Sequence, residues 1–173
     1  MVCDAENNKR YELIEGEIIE MAPPGETHGD LTIRIGKYLF DYVEGRNLGR
    51  VTAETGYYTP EDRSTLLSPD IAFRRLDPSA EPASQRWVPM MPDLAVAIKS
   101  PSNIMPQIRR KAAIFLQHGT QLVWIVIPES KSVEVCRLDA SGNIQSEVIG
   151  ADGSLSGEQV LPGFNLELAG LFS

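Results

Sequence analysis

The sequence predicts an α/β fold, a mixed β-sheet flanked by helices with hairpins near both ends of the chain. Three observations carry this. Residues 27–45 and 105–119 repeat apolar side chains at helical spacing. Short runs at 49–60, 68–75, 93–99, 121–128 and 131–139 have the composition of strands. Strand 93–99, helix 106–118 and strand 121–127 follow one another as a crossover unit, so those two strands pair in parallel. The hairpins add antiparallel pairs, and one helix falls on each face of the sheet.

"RYELIEGEIIEM" (10–21) alternates on both sides of Glu15-Gly16, a hairpin signal. "APPG" (22–25) is a loop. In the helix that follows, Thr27 and Asp30 stand at capping-box spacing. Its apolar stripe is Leu31, Ile35, Tyr38, Leu39 and Tyr42, and Gly45 is the expected stop. "GRVTAETGYYTP" (49–60) reads as one strand, "EDRSTLL" (61–67) as a loop, and "SPDIAFRR" (68–75) as a short strand. Residues 77–92, rich in Pro, Ser and Ala, read as a long loop.

In strand 93–99, Leu94, Val96 and Ile98 share one face, while Asp93, Ala95, Ala97 and Lys99 share the other. The second helix buries Ile108, Ala112, Phe115 and Leu116, with Pro106 in its first turn and Gly119 at its cap. "QLVWIVIP" (121–128) is apolar throughout and reads as a central strand covered on both faces. "KSVEVCRLD" (131–139) alternates cleanly. The tail, 161–172, reads as short apolar pieces laid on the surface.

At 173 residues the chain is expected to form one domain, 1–173. A chain of this size buries about 70% of its unfolded surface, so it needs no disulfide or structural metal to fold. Cys3, expected in a frayed terminus, and Cys136, in a strand, read as two reduced thiols. No apolar run approaches the roughly 18–20 residues of a membrane span, and the N-terminus lacks a signal peptide's apolar segment. The expectation is a cytoplasmic protein. A net charge of −8 argues against a general polyanion binder, leaving room for a local basic cleft. No Cys/His cluster has zinc spacing, no glycine pattern forms a phosphate loop, and no nucleophile elbow appears.

One constellation points to chemistry. Asp70 opens its strand after Ser68-Pro69, and Lys99 ends another. With those strands as neighbours, both side chains enter one cleft. Acids with a lysine suit metal-assisted phosphodiester hydrolysis. Carboxylates hold Mg²⁺ through oxygen, the ion activates water, and the lysine orients water or offsets charge.

"SPDIAF…PDLAVAIKSPSN…RRKAAIFLQHGTQLVWIVIPESKSVEVCRL", with "YELIEGEIIEM", "THGDLTIRI" and "LPGFNLELAGLF", resembles a bacterial domain family of unknown function labelled restriction endonuclease. That family lies within the PD-(D/E)XK nuclease-like superfamily. The resemblance covers nearly the whole chain and implies a restriction-endonuclease-like fold. It implies a Mg²⁺-dependent endonuclease acting on DNA, with Mn²⁺ as a substitute ion. The first acid falls on Asp70 and the lysine on Lys99. The second acid falls on Ala97, so the chain reads A-I-K where the motif asks for E-x-K. Asn103 also stands where an acid is expected.

Asp93 lies on the right face but about 13 Å along the strand, too far to share an ion. Glu54, expected mid-strand beside Asp70, is the replacement of choice, with His28 and Glu17 as accessory candidates. The expected catalytic set is Asp70, Lys99 and Glu54. The expected metal ligands are Asp70, Glu54 and the backbone carbonyl of Ile98. The alternative reading is a nuclease-like protein without hydrolytic activity, serving as a binding or assembly module. A homodimer is expected, because the tail and hairpins offer apolar edges and related nucleases pair to cut two strands. Arg109, Arg110 and Lys111 read as a solvated helix face, with phosphate contact as the alternative. His118 reads as a helix-terminal residue favoured in its protonated form by the dipole.

Overall fold

The computed structural model describes residues 2–4, 9–76 and 87–172. In chain order the first elements are β1 (Val2–Asp4), β2 (Lys9–Ile14), β3 (Glu17–Met21), α1 (Glu26–Glu44), β4 (Gly49–Ala53), β5 (Tyr57–Thr59), β6 (Asp62–Leu67) and β7 (Ile71–Arg75). Then come β8 (Leu94–Ile98), α2 (Met105–Gln117), β9 (Leu122–Ile127), β10 (Ser132–Leu138), β11 (Ile144–Ile149), β12 (Ser154–Ser156) and β13 (Asn165–Glu167). The central sheet has the order β11-β10-β9-β8-β7-β4. Its β8–β9 pair is parallel and its other pairs are antiparallel. α2 is the crossover that makes the parallel pair, as its place between two strands predicts.

The two faces of the sheet are covered by different helices. Leu31, Ile35, Leu39 and Val43 of α1 pack with Leu94, Val96, Ile98, Trp124 and Val126. Ile108, Ala112 and Phe115 of α2 pack with Ala95, Val123, Ile125 and Cys136, and partly buried Ala97 joins them. β9 is therefore buried on both sides, the arrangement its unbroken apolar run predicts.

Several expectations are corrected. Residues 61–67 are not a loop: β6 pairs with β5 and β2 and completes a second, antiparallel sheet that includes β1 and β3. The polar opening "DRST" hid a strand that pairs with β5 just before it and with β2 from the N-terminal hairpin. Residues 49–60 are two strands broken at Glu54. Cys3 lies within β1, paired opposite Arg10. Cys136 is a free, buried thiol, and burial pushes its pKa up to about 11, which makes it inert near neutrality. The loop expected over 77–92 lies mostly outside the described residues, though Val88 forms a parallel bridge with Tyr57.

Helix ends differ in detail. Gly25, not a side chain, occupies the first cap of α1, and Thr27 lies inside the helix, so the capping box does not form. Gly45 stays right-handed, and Asn47 makes the left-handed turn. Tyr38 is 48% exposed. The buried line runs in steps of four, drifting about 40° per step around the helix and leaving Tyr38 at its margin. Gly119 behaves as predicted. At φ +106° its N–H donates to the Leu116 carbonyl while that of Thr120 donates to Phe115, a Schellman close. Glu15 and Gly16, both at positive φ, make the tight turn of the β2–β3 hairpin.

The tail is core rather than surface. Leu161, Phe164, Leu166, Leu168 and Leu171 are buried, and the Phe164 ring stacks on Trp124 and meets Tyr42 edge-on. The tail therefore offers no apolar edge to a second copy. Among the described residues no helix is long and apolar enough to cross a membrane.

Candidate functional site

A pocket of about 210 Å³ opens where β7 meets β8, between the N-terminal hairpin, the start of α1 and the first half of α2. Its wall includes Asp70, Ala97 and Ile98 from the central sheet, His28 from α1, and Glu54 from the break after β4. Arg10 and Glu12 enter from β2, and Arg110 and Lys111 from α2.

Asp70 is held by the end of the β7–β8 ladder. Its N–H donates to the Val96 carbonyl at 3.0 Å. Pro69 precedes it and has no N–H to give, and the Asp70 side chain fills the next place: Oδ2 accepts the Ile98 N–H at 2.6 Å. Oδ1 faces His28 Nε2 at 3.1 Å. Continuing the register Ile71↔Val96 by one step puts Asp70 directly opposite Ala97. The position where the motif asks for a second carboxylate thus lies beside the first, and carries a methyl group.

His28 is stabilised as a cation. Its hydrogen bond to Asp70 raises its pKa above 6.5; partial burial opposes this, and the charges of Asp70 and Glu54 add to the rise. A histidine raised on folding contributes stability that is complete below its unfolded pKa and lost as pH rises through the folded one. Melting temperature is therefore expected to fall as pH rises above about 6.5, and His28→Gln is expected to flatten that slope. An unchanged slope in the variant, measured by a pH series of thermal melts, would assign the dependence elsewhere.

Glu54 does not lie mid-strand as expected. Its φ is +49°, left-handed backbone that costs a side-chain-bearing residue about 1–2 kcal/mol. Its N–H donates to the Asp70 carbonyl at 3.3 Å, which keeps it beside β7. Its carboxylate forks with the Arg10 guanidinium, Nη1 lying 2.9 Å from Oε1 and Nη2 on Oε2. Strain of this kind is tolerated where the aim of one side chain matters.

Glu12 escaped the sequence reading, and Lys111 was read only as part of a basic helix face. Glu12 is 2% exposed, and its Oε1 accepts both the Ser68 N–H at 2.7 Å and the Lys111 ammonium at 2.6 Å. Lys111 also donates to the Ser68 carbonyl at 3.2 Å. A signal for Lys111 was present. It stands three residues after Ile108 and four before Phe115, on the buried stripe of α2. Glu12 gave none, because strand alternation places it on a face that reads as solvent until its sheet packs that face against α2 and Ser68.

The other candidates separate from the pocket. Lys99 does not line it. Its N–H stays in the ladder with β9, and its ammonium meets Glu129 Oε1 at 2.6 Å, in the turn that follows β9. The expected convergence of Lys99 with Asp70 is therefore not what the fold builds, because a carboxylate stands nearer on the β9 side. Glu17 is outside the pocket, exposed and 3.8 Å from Arg110. Asp93 stays at the far end of β8, accepting the Arg75 N–H. His118 caps α2, its Nδ1 2.8 Å from the Ile114 carbonyl and its Nε2 3.4 Å from Asp62. Arg109 and Arg110 of the basic run lie on a solvated face as read, and Lys111 does not. Arg109 binds buried Glu134, Arg110 binds Glu15, and Lys111 binds Glu12, so α2 is tied both to β10 and to the N-terminal hairpin.

The pocket's carboxylates have the oxygen chemistry that Mg²⁺ prefers, but their arrangement does not fit the ion. Among the described residues no three His, Cys, Asp or Glu side chains converge to hold a metal. Each acid instead meets a protein cation: Asp70 with His28, Glu54 with Arg10, Glu12 with Lys111.

A mixed sheet with one parallel pair, a helix on each face and an acid-bearing pocket at the end of its β7–β8 pair defines a restriction-endonuclease-like fold. Residues 2–169 match the model of the Uma2 family, described as "Putative restriction endonuclease", and the chain belongs to that family. Its fold is shared with the crystal structure of "a putative nuclease belonging to DUF820" from Anabaena variabilis ATCC 29413. That likeness has a TM-score of 0.80 at 21% identity and covers 99% of this chain and 93% of that one. Both findings are consistent with the PD-(D/E)XK-like superfamily. No curated protein matches the chain.

Proposed function

We propose that this protein engages DNA at the Asp70 pocket as a nuclease-family binding module and does not hydrolyse the phosphodiester by itself. One observation carries the reading: opposite Asp70, where a second carboxylate would complete a metal site, stands Ala97. Without that acid the remaining carboxylates are neutralised within the protein, and Lys99 is engaged by Glu129. Family membership supports DNA as the partner.

A second reading has its own support. Asp70, Glu54 and Glu12 all line the one pocket. In that reading the protein is a Mg²⁺-dependent or Mn²⁺-dependent endonuclease with an altered site, in which Glu54 stands in for the missing acid. Incubation of supercoiled plasmid with each ion separates the two. The wild type is expected to bind the plasmid and leave it uncut. Cutting that Asp70→Ala abolishes would establish the second reading and end the first.

A further inference from the structure

The cations that line the Asp70 pocket all meet carboxylates, but two arginines further along the same sheet face meet none among the described residues. Arg50 of β4 and Arg74 of β7 are directly paired in the ladder. Like charges set opposite each other across a strand pair repel. Among the described residues neither has a carboxylate partner; Arg74 Nη1 instead lies 3.3 Å from the Met90 sulfur, which compensates no charge. In a chain of net charge −8, two opposed guanidinium groups with no carboxylate partner among the described residues suggest a binding role.

Their position fits that role. Asp70, Ala72 and Arg74 alternate onto one face of β7, and Thr52 and Arg50 lie opposite the last two. Tyr57 is buried beside this row, its hydroxyl 2.7 Å from Thr52 Oγ1. Arg50, on the edge strand, is exposed at the end of the row. Four residues of strand set Arg74 about 13 Å from Asp70. Along one strand of duplex DNA, with one charge per 3.4 Å of axis, that spans roughly four phosphates.

We propose that Arg50 and Arg74 form a second DNA contact, gripping the backbone phosphates of a strand whose nearby phosphodiester sits at the Asp70 pocket. Arginine suits the task, since its planar fork matches phosphate oxygens. The inference rests on DNA being the partner, as proposed above, and adds where the strand runs.

The test is fluorescence anisotropy with a labelled 20-base-pair duplex over a salt series, comparing wild type, Arg50→Gln, Arg74→Gln and Lys131→Gln. Lys131 lies in the turn before β10, across the sheet from the pair. Each arginine variant is expected to lower the salt slope by about 0.9 and to weaken binding roughly eightfold at 0.1 M salt, one phosphate contact each. Lys131→Gln is expected to leave the slope unchanged. The arginine variants are also expected to melt no lower than wild type, because each relieves a like-charge pair. Arginine variants that bind like wild type would overturn this inference and leave the DNA reading standing. Binding loss that tracks lowered melting would also overturn it. A wild type that fails to bind at 50 mM salt would sink both readings.

Discussion

Lys111→Met is expected to lower folding stability by about 3–5 kcal/mol, the usual cost of removing one partner from a buried ion pair. Glu12 is 2% exposed and Lys111 only 15%, so the pair is shielded from screening. Without the ammonium, Glu12 keeps only the Ser68 N–H as donor to Oε1, too little for a carboxylate removed from water. The variant should melt roughly 10 °C lower, at about 2–4 °C per kcal/mol for a domain of this size. Glu12→Gln in the same chain should recover most of the loss, because an amide needs no counter-charge. Urea titrations of the two single variants and the double variant give the coupling directly. A loss below about 1 kcal/mol for Lys111→Met would mean that the pair is solvated and the pocket open to water.

The second large effect is expected from Ala97→Glu. The register places position 97 opposite Asp70, so the new carboxylate would stand beside the old one. Two like charges so close repel, and without divalent ion the variant should melt below wild type. A divalent cation relieves that repulsion. If the variant's site has a Kd near 0.1 mM, 10 mM Mg²⁺ stabilises it by about 2.7 kcal/mol, or roughly 5–10 °C. The wild type, with each pocket acid already paired to a protein cation, should shift by less than about 1 °C under the same conditions. Melts with and without Mg²⁺ read this without any cleavage assay. An equal shift in the wild type would mean that its internal pairs yield to the ion, and would favour the altered-site endonuclease.

These expectations draw on information of two kinds. The apolar spacing of α1 and α2 and the unbroken run at 122–127 determined, from the sequence alone, a sheet with a parallel pair and a helix on each face. The place of Asp70 after a proline was legible in the same way, because periodicity and a lost N–H are local properties, while the missing acid at Ala97 was legible only through the family resemblance. Composition likewise located the turns at Gly16 and Gly119, where left-handed backbone is needed.

What the tertiary structure decided was the company each charge keeps. Lys99 went to Glu129 and Lys111 to Glu12, residues 30 and 99 positions away. Glu54 left its strand to reach Arg10, 44 positions away. The second sheet turned Glu12 from an apparently solvated residue into a buried one, and the tail became core by closing over Trp124. An ion pair forms wherever folding brings opposite charges within a few ångströms, and that depends on loops and sheets closing from distant parts of the chain. Spacing along a strand says which face a side chain takes, but not which residue will be waiting there.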